Sequence, residues 1–324
     1  MLAHTLSIVA PVFLLIGIGY CLARFGILKQ SVSDALGQFV FVVAVPVLLF
    51  SSLTEADFSA ENPFALWACY FLGVSVAWFL GSTIIRRGFG REARAGAIGG
   101  VSASFANLLL IGMPVVSAVY GEAGLVPILL VLSIHLMMMT VIITVAMERA
   151  AAIDSGQAMP PVAKIVLGTS RKVLTNPLIV AILLALVWRQ TGLSLPEIGQ
   201  DILDRIAATA LPLALLSLGM SLVQYGIRGN ILPGFLLSLI KIFIMPATIF
   251  LAGTFLFQLP PLWVAATTLA ASCPTGVNPY IFANRYGTGH AMSANAITMT
   301  TLSAILTTSL WVWFLNLWFG SGLQ

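Results

Sequence analysis

The chain has 324 residues, is 59% hydrophobic and only 8% charged, and has a mean hydropathy of +1.03. A soluble domain carries about 25% charged residues, so a water-soluble globule is excluded. The net charge of +4 sits in short clusters between long apolar runs, which marks a polytopic helical membrane protein and not a nucleic-acid binder.

About 20 apolar residues cross the hydrocarbon core as a helix. On that measure ten spans are predicted, at 5–23, 35–53, 63–85, 97–119, 124–147, 174–190, 205–225, 231–257, 262–283 and 290–318. The first lacks a basic leader and is followed by Arg24 and Lys29, so it reads as a retained helix and not a signal peptide. The longest connection, 148–173, is read as a linker, with loop signals at Asp154-Ser155-Gly156 and Pro160-Pro161. It divides the chain into a first five-helix half, 1–147, and a second, 174–324.

Lys and Arg favour cytoplasmic loops. Alternate loops hold Arg24 and Lys29; Arg86, Arg87, Arg91 and Arg94; Arg149, Lys164, Arg171 and Lys172; Arg228; and Arg285, which is most of the 15 basic residues. The opposite loops hold Arg189 and Arg205, with the acids Glu55, Asp57, Glu61 and Glu122. Both termini are therefore expected outside a plasma (inner) membrane, with the linker in the cytoplasm. Trp311, Trp313 and Trp318 fit an outer aromatic belt.

The halves resemble each other. Pro11, Gly26, Pro46 and Ser51 recur at one constant offset as Pro177, Gly192, Pro212 and Ser217. Five spans per half invert the second half relative to the first. At that offset Pro114, in the fourth span, falls one residue from Pro279, in the ninth. Gly112 and Pro114 interrupt the fourth span beside Ser104 and Asn107; Pro274, Gly276 and Pro279 interrupt the ninth beside Cys273, Thr275 and Asn278. Proline removes a backbone donor, and lipid offers no replacement. A lone break of this kind reads as a kink. Matching breaks in two inverted halves point to a transporter's substrate site, because half-helix amide ends attract anions.

The runs NLLLIGMPVVSAVYG (107–121), PTGVNPYIFANRYG (274–287) and PVFLLIGIGYCLARFGIL (11–28) resemble the auxin efflux carrier family, of the bile/arsenite/riboflavin-type transporter superfamily. The resemblance covers nearly the whole chain. It implies an all-α fold of ten helices in two inverted repeats, with broken helices 4 and 9 crossing as in sodium/proton antiporters. It also implies scaffold and transport domains drawn from both repeats. The substrates it implies are small organic anions: malate- or malonate-like carboxylates, or auxin-like aromatic carboxylates. The long cytoplasmic loop of many plant members is absent, which weighs against auxin itself.

The candidate substrate residues are Asn107, Gly112, Pro114, Thr275, Gly276, Asn278, Pro279 and Tyr280, with Lys241 and His135. Lys241 lies mid-span, where a charge needs a partner or water. It reads either as a substrate or gating contact or as a side chain snorkelling to the cytoplasm. His135 reads as a titrating group or, more simply, as a hydrogen-bonded interior histidine. Tyr280 reads as a substrate contact or as packing. A sodium site near Ser102, Ser104, Ser272 and Asn295 is compatible with the sequence; coupling to sodium or protons is open.

Absences narrow the classes. Apart from Asp34 at a helix edge, no Asp or Glu falls inside a predicted span, which argues against a carboxylate-based cation antiporter. Cys21, Cys69 and Cys273 form no CxxC pair, so neither a disulfide nor zinc is expected. There is no Walker motif, HExxH or GxSxG, so no cofactor and no enzyme activity is expected. A membrane receptor and a channel are the remaining alternatives to a carrier. Expected partners are a small organic anion, the lipid bilayer and a second copy in a homodimer.

Overall fold

A computed structural model describes residues 2–55, 63–225, 229 and 231–320. Asp57, Glu61 and Arg228, used above to orient the chain, lie outside the described residues, as do the side chains of Arg171 and Lys172. Every regular element among the described residues is helical.

In chain order they are α1 (Leu2–Arg24), α2 (Gln30–Glu55), α3 (Pro63–Gly88), α4 (Ala93–Ser104), α5 (Leu108–Ser155), α6 (Val162–Leu174), α7 (Pro177–Thr191), α8 (Glu197–Gln224), α9 (Ile231–Leu256), α10 (Pro261–Ser272), α11 (Asn278–Tyr286) and α12 (His290–Phe319). Seven of these helices are long and apolar enough to cross a bilayer. The others are half-length or amphipathic. α5 is two helices joined at Gly121, whose φ of 64° and ψ of −157° no helix contains. Positive φ suits glycine because it has no Cβ to clash.

Two predicted boundaries shift. Residues 148–173 are mostly helix: α5 runs on to Ser155, Gly156 caps it in the left-handed conformation, and α6 follows Pro160-Pro161. The loop signals mark a turn between two helices, because a left-handed glycine and a proline pair end helices without forbidding new ones. α8 begins at Glu197, ahead of the predicted 205, and so carries Asp201 and Asp204 in its first turns. Apolar periodicity cannot see these turns because they are polar. Asp204 accepts from Ser51 Oγ at 3.1 Å, tying α8 to α2.

The helices pack in two groups. α1, α2, α7 and α8 pack on one another, with α1 against α8 and α2 against α7 and α8. The second group packs α3 on α4, α9 on α12, and α5 on α10. α1 lies against α12 and joins the groups.

Prolines inside these helices leave carbonyls to be satisfied. Pro246 cannot donate to the carbonyl of Ile242, within the π-turn Ile240–Ile244. The Trp311 indole of α12 donates to that carbonyl instead, at 2.8 Å. Such a substitute is required at membrane depth.

Candidate functional site

Helices α4 and α10 are twelve residues each and both end on a serine. The next residue leaves the helix: Phe105 (φ −86°, ψ 95°) and Cys273 (φ −62°, ψ 157°). Cys273 precedes Pro274, and the proline ring disfavours the helical region for it. Beyond the breaks, α5 restarts at Leu108, with Asn107 Oδ1 accepting from the Leu110 amide at 3.2 Å. α11 restarts at Asn278 with Pro279 in its first turn, where a missing N–H costs nothing.

The two breaks meet. Ala106 and Thr275 form an antiparallel bridge. The Asn107 amide donates to the Pro274 carbonyl at 3.0 Å, and the Gly276 amide to the Phe105 carbonyl at 3.0 Å. Thr275 Oγ1 donates to the Ser102 carbonyl at 2.9 Å, and the Thr275 amide donates to Thr300 Oγ1 at 3.1 Å. Glycine at 276 lets the Phe105 ring pack close; a Cβ there would stand 2.9 Å from the ring, which would have to shift. Gly112 has no such need; its nearest neighbour, Ala270 Cβ, would be 3.5 Å away.

The predicted residues therefore separate. Asn107, Thr275 and Gly276 sit at the crossing and are buried. Gly112 and Pro114 are buried one turn into α5, and Pro279 is buried at the start of α11. Asn278 and Tyr280 are half-buried. Tyr280 meets the Tyr225 ring at the end of α8, with centroids 5.0 Å apart.

Lys241 is fully buried. It does not snorkel: its Nζ donates to the carbonyls of Ala271, at 2.5 Å, and Cys273, at 2.8 Å. His135 is buried, shares a 3.2 Å hydrogen bond with Tyr70 Oη and packs on Phe105. Ser102, Ser104 and Ser272 donate back to carbonyls of their own helices. Asn295 Nδ2 donates to the Gly229 carbonyl. Among the described residues no cluster of three His, Cys, Asp or Glu is placed to hold a metal.

Sequence reasoning missed Phe105, Thr300 and Asp154. Thr300 lies in a threonine-rich run and gives no signal of its own. Asp154, in the predicted linker, caps the far end of the broken helix. Its Oδ1 accepts from the Ala93 amide at 2.7 Å, and its Oδ2 from the Arg94 amide and Nε at 3.0 Å. Asp154→Asn keeps the shape but loses the charge at a helix N-terminus, which is worth about 1 kcal/mol. We expect a small fall in the thermal midpoint in detergent, with the protein still folded.

This geometry sets the charge of the crossing. The carbonyl ends of α4 and α10 are taken up by Thr275, Gly276 and Lys241. The opposing ends are the first turns of α5 and α11, whose amides carry partial positive charge. A site built this way favours a small anion.

Residues 4–312 match the family described as membrane transport protein. The chain belongs to this family, that of the auxin efflux carriers. Proteins similar to this chain include a putative malonate transporter of Rhizobium meliloti, 26% identical over 94% of each chain. An uncharacterized transporter of Methanocaldococcus jannaschii is 25% identical over 96% of this chain and 98% of its own. Auxin efflux carrier component 8 of Arabidopsis thaliana is 23% identical over 97% of this chain and 98% of its own. The protein is thus a multi-pass membrane transporter of this family.

Proposed function

We propose that this transporter is a secondary carrier of small organic anions, of the mono- or dicarboxylate class to which malonate and malate belong. The observation that carries the reading is the pair of broken helices hydrogen-bonded to each other at Asn107, Pro274, Phe105 and Gly276. Substrate carboxylate sits beside this crossing, at the partly positive starts of α5 and α11, held by the side chains of Asn107 and Asn278. The name of the Rhizobium relative supports the class.

Ten passes in two inverted halves accommodate these helices. α4 with the first part of α5 is the fourth pass, the rest of α5 the fifth, and α10 with α11 the ninth. Two features support the repeat. α3 and α9 are 26 residues each and both close in a π-turn. α1 packs on α8 as α7 packs on α2. The group α1, α2, α7 and α8 is the scaffold, and the group around the crossing is the transport domain, which moves against it by alternating access. Both termini face away from the cytoplasm.

Counterflow tests the proposal. Proteoliposomes loaded with unlabelled malonate should accumulate labelled malonate transiently, with malate competing better than indole acetate. No exchange of any of the three by folded protein would contradict it. In the same assay Pro279→Ala should cut exchange about tenfold or more, because the restored amide lets α11 extend back into the break. Membrane insertion should be unchanged. Equal exchange rates would mean that the ninth pass is merely kinked.

A further inference from the structure

We propose that Lys241 is a resident cation, its ammonium filling a monovalent-cation site at the carbonyl end of α10. This goes beyond the carrier reading and stands on the broken helix alone. A helix that stops inside protein leaves its last carbonyls without partners and a partial negative charge at that end. α10 stops at Ser272, at the crossing. The carbonyls of Ala271 and Cys273 both turn to Lys241 Nζ, at 2.5 and 2.8 Å. No other side chain is fully buried with a formal charge among the described residues. A buried charge is retained only when it is paired or hydrogen-bonded.

The corresponding carbonyl end, that of α4, is treated differently. Neutral donors serve it: Thr275 Oγ1 on the Ser102 carbonyl and the Gly276 amide on the Phe105 carbonyl. The residue of α3 at the same place along the helix as Lys241 of α9 is Gly73, which lies against Ile249. A cation therefore stands at one end only. The π-turn Ile240–Ile244 carries Lys241, and such turns often occur at functional sites.

Truncating the side chain should open the site to a cation from solution. The expected occupant is a primary alkylammonium, which supplies the missing stem and charge together. The test uses thermal unfolding of purified full-length protein in detergent, without substrate, in choline chloride. Wild type should be indifferent to added n-propylammonium or to sodium in place of choline. Lys241→Ala should unfold at a lower temperature, and millimolar n-propylammonium should restore most of the loss. An equal concentration of n-propanol should not. If Lys241→Ala does not fold in choline, expression and purification in n-propylammonium should recover it. Lys241→Met, of similar length without charge, should be destabilised and unrescued.

Rescue by propanol as well as propylammonium would show that volume and not charge is needed, and would overturn the proposal. So would wild-type stability of Lys241→Met, or no response of Lys241→Ala to any cation. Because the readout is unfolding, failure here leaves the counterflow result untouched, and failure of malonate exchange leaves this one untouched.

Discussion

Asn107→Ala is expected to abolish anion exchange while leaving a folded protein. The Asn107 backbone donates to Pro274 and accepts from the Ile111 and Gly112 amides, and alanine keeps all three bonds. The side chain gives only the bond from the Leu110 amide. Loss of such a cap costs about 1 kcal/mol, which shifts the thermal midpoint by a few degrees. Loss of a substrate contact in a dry site costs more, because the carboxylate is then left without a donor. Transport should therefore fall about a hundredfold or more, against a small change in stability. Exchange at the wild-type rate would remove Asn107 from the site. Asn107→Asp should be inactive as well, since it places a negative charge against the anion.

Gly219→Leu should have the opposite signature, with folding lost first. α1 and α8 touch backbone to backbone. A Cβ at Gly219 would fall inside the Ile16 carbonyl, and one at Gly19 inside the Leu216 carbonyl. Small residues let membrane helices approach this closely, and dispersion at the contact holds them together. Neither carbonyl belongs to a side chain that could swing away, so the helices must separate. The cost is expected to exceed about 3 kcal/mol, the upper end for overpacking. Size-exclusion chromatography of the detergent-solubilised variant should show aggregate or no protein. A monodisperse, active Gly219→Leu would mean that α1 and α8 do not meet at these glycines.

Much of this was legible in the sequence. Pro274 and Pro279 announce the ninth break because proline acts on its own backbone, and the local rule survives in the fold. Asn107 stands out for a similar reason, as a polar side chain beside the fourth break, although its cap on the Leu110 amide is seen only in the fold. What could not be read is where distant groups meet. The sequence places Lys241 mid-span but cannot say that the π-turn aims it at Ala271 and Cys273. Phe105 looks like one more apolar residue, yet its carbonyl receives Gly276 and its ring lies where a larger side chain at 276 would press. Asp154 read as a loop signal because polar turns look alike, whether they join helices or cap one from across the protein.

Alternating access requires that the crossing be reached from one side of the membrane and then from the other. Its most direct test is a single cysteine at the break. Val277→Cys adds one to the half-buried residue before α11, in a Cys21→Ser background that removes the exposed native thiol. Membrane-impermeant thiol reagent would be applied to sealed vesicles from the inside or the outside. Labelling is expected from either side, slowed in both cases by malonate. Labelling from one side only, at a rate that malonate leaves unchanged, would contradict it.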